Sequence, residues 1–262
     1  MKQRMKVSDK NTQIGIDIGT SKICCSITEI NSDEGSNKIL GVGNVPSQGM
    51  KKGSIVHRDR VMDAIEAAVR EAELMAGIKV SRAMLSISGD HIRGINTQGA
   101  IAIQKGSARN VPVEQEITQN DVSRVLELAK AVSLPVDREI LHILPQEYLI
   151  DTMDSIKDPV GMSGRRLEAK VHLITMAATT AKNLVSCVHE LAIDVEGLVF
   201  QALASAIATL DTDEKELGVA VVDIGAGTTD ITVFYDGGVR HSAVIGVGAS
   251  AETNDIALRM QI

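Results

Sequence analysis

Two short stretches far apart in the chain carry residue types suited to holding a polyphosphate. The first is Asp17-Ile18-Gly19-Thr20-Ser21-Lys22 and the second is Asp223-Ile224-Gly225-Ala226-Gly227-Thr228-Thr229-Asp230. A polyphosphate needs backbone N–H groups at close range, which calls for glycine wherever a Cβ would block the anion or φ must be positive. Thr20, Ser21, Thr228 and Thr229 add neutral hydroxyl donors, and Lys22 adds a point charge toward the outer phosphates. An aspartate would repel a bare phosphate. Asp17 and Asp223 are therefore read as holding the water shell of a magnesium ion, which gives up its waters reluctantly.

These residues need bends to carry them, and the flanking pattern supplies one on each side. Ile14, Ile16 and Ile18 alternate up to the first bend, and apolar residues resume from Ile23 to Ile30. Val219 to Ile224 leads into the second bend, and another alternating run follows it. The same strand, Asp-Ile-Gly corner and returning strand is thus used twice, which implies two related halves facing each other across a cleft. No GxxxxGK[ST] spacing is present and a strand, not a helix, follows each corner, so this is not a Walker-A loop.

Around the corners, Ile39 to Val45 reads as a third strand after a polar turn at Asn31 to Asn37. A helix with Val61, Ile65, Ala68, Val69, Ala72 and Met75 on one face follows, with Asp59 as candidate N-cap and Gly77 as candidate stop. From Ser81 to Met176 the runs are shorter: Ala83 to Ser88, Gly94 to Gln104, Glu139 to Ile150 and Leu167 to Met176. One helix interrupts them, starting at Thr118 with Asp121 three residues on and burying Val122, Val125, Leu126, Ala129 and Val132. This block reads as a small α+β insertion, with Lys105 to Gln115 as an exposed loop tip. Two helical patterns follow, one through Ala181, Leu184, Val185, Val188 and Leu191 and one from Leu198 to Thr209. The acidic run Asp211-Thr212-Asp213-Glu214 reads as a solvated connection.

Composition narrows the function classes. The 262 residues suffice for one large or two ordinary domains, and 44% apolar with 23% charged residues is an ordinary globular balance. Two Tyr, two Phe and no Trp leave almost no faces for stacking unpaired bases, and 27 basic against 34 acidic residues give a net charge of −7. Both argue against nucleic-acid binding. Cys24, Cys25 and Cys187 form no disulfide framework or CxxC pair, which suits a reducing cytoplasm. The start has no apolar stretch of a secretory signal, and the run from Gly197 to Leu210 is too short to span a bilayer. His57, His91, His142, His172, His189 and His241 form no HExxH pair or Cys/His cluster, and Gly161-Met162-Ser163-Gly164 lacks the spacing of a nucleophile elbow.

The two corners resemble the paired phosphate hairpins of the actin-like ATPase superfamily. Within it, GIDIGTSKICCSI, GVGNVPSQGMKKG, AELMAG, LSISGDHI, ILPQEYLID, DPVGMSG, AKVHLIT, ELGVAVVDIGAGTTDITVF and TNDIAL are similar to the FtsA family of bacterial cell-division proteins over nearly the whole chain. The resemblance implies an α/β, actin-like (ribonuclease-H-like) two-lobed fold with a small α+β insertion called subdomain 1C. It divides the chain into 1–80 (start of subdomain 1A), 81–178 (1C), 179–215 (connecting helices of 1A) and 216–262 (start of 2A). It implies binding of ATP and Mg2+, with Asp17, Gly19, Thr20, Ser21 and Lys22 in the first phosphate motif. Asp223, Gly225, Ala226, Gly227, Thr228 and Thr229 fall in the second, and Asp17 and Asp223 would hold magnesium through water. Gln201 stands where actin has a glutamine that orients the attacking water, although a plain surface glutamine beside Phe200 is the alternative.

Ala226 stands where the family often has glycine, and the stretch from Lys105 to Gln115 is longer than usual. The implied role is that of a structural adaptor with at most slow ATP hydrolysis. It would polymerise into filaments, tether the FtsZ ring to the cytoplasmic face of the membrane and link it to later division proteins through 1C. The family's adenosine-binding segment and membrane-touching C-terminal helix would lie beyond Ile262, so the second lobe is expected to be incomplete. A sugar or acetate kinase of the same superfamily, or a DnaK-type chaperone, is the alternative.

Overall fold

The computed structural model describes residues 12–31, 36–103 and 115–261. The expected tip at 105–115 lies outside these residues except for Gln115, as does most of the turn between Asn31 and Asn37. Strands β1 (Thr12–Ile18), β2 (Lys22–Asn31) and β3 (Ser36–Pro46) form an antiparallel meander. Period-two alternation dictates it: Ile14, Ile16 and Ile18 of β1 and Ile23, Cys25 and Ile27 of β2 are all buried.

A short hairpin, β4 (Met50–Lys51) with β5 (Ser54–Ile55), leads into α1 (Arg58–Ala76). Helix α1 buries Val61, Ile65, Ala68, Val69 and Ala72, the three-to-four spacing of a single apolar stripe. Its backbone comes unusually close to β3, since a Cβ on Gly43 would sit 1.8 Å from the carbonyl oxygen of Ala68. Gly77 ends the helix at φ 70, as expected. Asp59 is not the N-cap: His57 holds that position with extended backbone, and Asp59 lies in the first turn, where its charge faces the positive end of the helix.

Strand β6 (Arg82–Ile87) corrects an expected boundary. It pairs parallel with β1, so it belongs to the first sheet and the insertion begins after it rather than at 81. The insertion comprises β7 (Arg93–Ala102), β8 (Gln115–Glu116), α2 (Gln119–Lys130), β9 (Arg138–Ile150), β10 (Met153–Ile156), β11 (Ser163–Gly164) and β12 (Arg166–Ala177). Its antiparallel sheet runs β10-β9-β12-β7, with a separate small ladder between β8 and β11. Helix α2 starts at Thr118, whose backbone N–H and hydroxyl both donate to Asp121 Oδ2, at 3.0 and 2.6 Å. Val122, Val125 and Ala129 pack with Ile101, Tyr148, Leu167 and Val171 into a core of its own.

Next come α3 (Ala178–His189), β13 (Asp194–Phe200), α4 (Gln201–Thr209) and α5 (Thr212–Leu217). The stretch from Leu198 is not one helix. Leu198, Val199 and Phe200 complete β13, parallel to β6, and helix begins only at Gln201. A short apolar run reads equally well as buried strand or helix, and here the sheet needs its fifth strand. The acidic run is likewise structured: Asp211 is the N-cap of α5 and forms a capping box with Glu214. The completed first sheet runs β3-β2-β1-β6-β13.

The last elements are β14 (Val219–Ile224), β15 (Thr229–Tyr235), β16 (Gly238–Ile245) and α6 (Ser250–Met260), with the three strands forming an antiparallel sheet. The insertion rests on β16 through polar contacts. Gln146 donates to the carbonyl of Val239 at 2.7 Å, and His172 Nε2 lies 2.7 Å from Ser242 Oγ. Burial pushes His172 down to about 4, with His241 adding to the shift, so a neutral ring fills this joint.

Candidate functional site

The two corners are built alike. Gly19 N–H donates to the carbonyl of Lys22 at 3.0 Å, and Gly225 N–H donates to that of Thr228 at 2.9 Å. Asp17 faces Cys24 across the first hairpin, and Asp223 faces Asp230 across the second. Although far apart in the chain, Asp17 and Asp223 belong to bends that touch. A Cβ on Gly227 would lie 2.6 Å from Thr20 Oγ1 and 3.1 Å from Thr20 Cβ. Only a residue without a side chain lets the second bend come this close to the first.

A cavity of about 610 Å³ opens beside that contact, lined by Asp17, Ser21, Lys22, Ser86, Gln201, Ser205, Asp223, Gly225, Ala226 and Ala249, among others. Asp17 accepts a hydrogen bond from Ser86. Burial raises its carboxyl above the usual range; the Ser86 hydroxyl and Lys22 oppose that rise, and nearby Asp223 adds to it. Asp223 Oδ2 accepts from Ser205 Oγ at 2.8 Å and from Gln201 Nε2 at 3.5 Å. Behind it Asp230 is 1% exposed and accepts from Ser88 at 2.6 Å and Thr228 at 3.0 Å.

Of the residues expected from sequence, Asp17, Ser21, Lys22, Asp223, Gly225, Ala226 and Gln201 line this cavity. The others support it from behind. Gly19 closes its turn and Thr20 meets Gly227. Thr228 is buried and turns its hydroxyl to Asp230, while Thr229 donates to the carbonyl of Val247 at 2.8 Å. The α6 end also docks on the second bend, with Ala249 and Ser250 N–H groups donating to the carbonyls of Gly225 and Ala226 at 2.9 and 3.0 Å. Ser86, Ser88, Ser205 and Asp230 escaped the sequence reading. Asp230 closes the second copy of the repeat, a signal the sequence carries, whereas the three serines read as ordinary residues until the fold sets an aspartate opposite each.

The residues suit a magnesium nucleotide. Two carboxylates, a lysine and exposed backbone at two glycine-containing bends share one cavity of sufficient size. Among the described residues no group of three or more His, Cys, Asp or Glu could ligate a metal directly. The two aspartates facing one cavity suit an ion that keeps its water shell.

The strand order, the second hairpin unit joined to it through touching bends and the inserted domain define an actin-like ATPase fold. Two solved structures share it: a PilM-PilN type IV pilus biogenesis complex (TM-score 0.64, 14% identity, covering 95% of this chain and 66% of that one) and the ethanolamine utilization protein EutJ from Carboxydothermus hydrogenoformans (0.52, 13%, 96% and 57%). At that identity they speak for the fold alone. Residues 89–175 match the family model of the SHS2 domain inserted in FtsA, and residues 220–262 match that of cell division protein FtsA. The chain is 42% identical over 248 residues to cell division protein FtsA of Pseudomonas aeruginosa, covering 95% of this chain and 57% of that protein. It is 42% identical over 253 residues to the Escherichia coli K12 protein, covering 97% and 58%. The chain belongs to the FtsA family of cell-division proteins. It spans less than three-fifths of the length of these two relatives.

Proposed function

We propose that this chain binds one magnesium-ATP between its two bends, and that the protein assembles into filaments that anchor the FtsZ ring at the cytoplasmic face of the cell membrane. The inserted domain, subdomain 1C in this reading, would serve filament contacts and later division proteins. The observation that carries the nucleotide reading is the contact of Thr20 with Gly227, which brings Asp17 and Asp223 to one cavity. Lys22, Ser21 and the backbone at Gly225 and Ala226 would bind the phosphates, and Asp17 and Asp223 would orient magnesium-bound waters. When bound, the ion screens the phosphate charges and fixes their arrangement. Gln201, beside Asp223, would hold a water at the outer phosphate. Among the described residues no helix is long and apolar enough to cross a membrane, and the attachment proposed is peripheral.

Titration of the full-length protein with magnesium-ATP tests the site. Asp17→Ala and Asp223→Ala should each weaken binding by roughly tenfold or more. Unchanged affinity in both variants would reduce the corners to ordinary turns. Sedimentation with lipid vesicles and ATP tests the assembly: nucleotide-dependent pelleting is expected. Turnover of a small phosphoryl acceptor without any assembly would replace this reading with a phosphotransferase.

A further inference from the structure

Each of the three carboxylates at the bends carries a serine hydroxyl, and two of these bonds cross from the first unit to the second. Ser86, on β6, donates to Asp17 of the neighbouring β1, so that bond stays within one sheet. Ser205, on α4 of the first unit, donates to Asp223 Oδ2 at 2.8 Å. Ser88, two residues beyond Ser86, donates to Asp230 Oδ1 at 2.6 Å and lies 3.1 Å from Thr228 Oγ1. Asp223 and Asp230 face each other across the second hairpin, so both crossing bonds grip one rung of it.

The choice of serine is informative. A lysine or arginine at either place would bind its aspartate more strongly but cancel the negative charge a cation needs. A neutral hydroxyl fixes the carboxylate's direction and leaves the charge. We propose that Ser205 and Ser88 are positioning residues that hold the rung of Asp223 and Asp230 against the first unit, setting the gap between the two bends at which hydrated magnesium fits. This rests on the nucleotide reading above. Ser205 lines the cavity beside Asp223, and Ser88 is buried against Asp230.

The test uses full-length protein, with ATP binding followed as magnesium is titrated and again in EDTA. Ser205→Ala should raise the magnesium needed for half-saturation by roughly tenfold, a larger loss than any it causes in EDTA. Alanine is the better helix former, so the fold of α4 is kept. Ser205→Thr, which retains the hydroxyl, should restore most of the loss, whereas Ser205→Cys, which fills similar space with only a weak donor, should not. Ser88→Ala should shift the magnesium requirement in the same direction. If the wild type binds magnesium-ATP and neither alanine variant moves that requirement, the inference is overturned while the site reading stands. If the wild type binds no ATP, the site reading fails and the inference falls with it.

Discussion

Asp230 shows how much the site asks of a single residue. Burial pushes its carboxyl up to about 6 from 3.8, the hydrogen bonds from Ser88 and Thr228 pull it down, and Asp223 and Asp17 add to the rise. Between those values the unfolded chain gives up a proton that the folded chain keeps, so this group's contribution to stability is lost as pH rises through that window. Over the whole window the change is on the order of 3 kcal/mol. Urea denaturation of wild type and Asp230→Asn at about pH 4 and pH 7 should therefore show the wild type losing about 2 kcal/mol relative to the variant at the higher pH. A difference independent of pH would show that Asp230 titrates normally. The residues that line the cavity at the bends were legible because the chemistry proposed for them demands glycine, hydroxyl, lysine and carboxylate at fixed spacing. Ser86 and Ser205 were not, because a serine on a strand or a helix also reads as a solvent-facing residue until the fold places an aspartate opposite it.

Among the elements, the packing of α1 on β3 fixes the frame from which the first bend projects. Gly41 and Gly43 let the helix backbone settle directly on the sheet, where their Cβ atoms would fall 2.3 and 1.8 Å from the carbonyls of Ala72 and Ala68. Gly43→Ala must push the helix away, and should cost about 3 kcal/mol, the upper range for overpacking. Chemical denaturation measures it, and a loss below the error of the method would show that α1 yields freely. The meander, α1, α2 and the duplicated hairpin followed from period and caps. Strand β13 did not, because Leu198 to Ile207 is apolar enough to hide where strand gives way to helix. Only the pairing of Val199 and Phe200 with Ser86 and Ile87 decides it. Strand β6 was misassigned for a related reason: its alternation is the same whichever sheet it joins.

Over the whole molecule, the repeated bend announced two related units, and the contact between Thr20 and Gly227 unites them. The seating of the insertion on β16 was not legible, since Gln146, His172 and Ser242 follow no period and act only through one another's placement. A second groove, of about 850 Å³, lies between the end of α1 and the turn after α3, lined by Arg70, Glu73, Lys79 and Leu191, among others. It is larger than the cavity at the bends but does not set two aspartates beside the paired bends, so the smaller one is the proposed nucleotide site. A crystal structure of the full-length protein with magnesium and a non-hydrolysable ATP analogue decides the matter most directly. One triphosphate is expected between the two bends, in reach of Lys22 and the backbone of Gly225 and Ala226, with hydrated magnesium facing Asp17 and Asp223. A nucleotide seated in the α1–α3 groove, or touching one bend only, would contradict it.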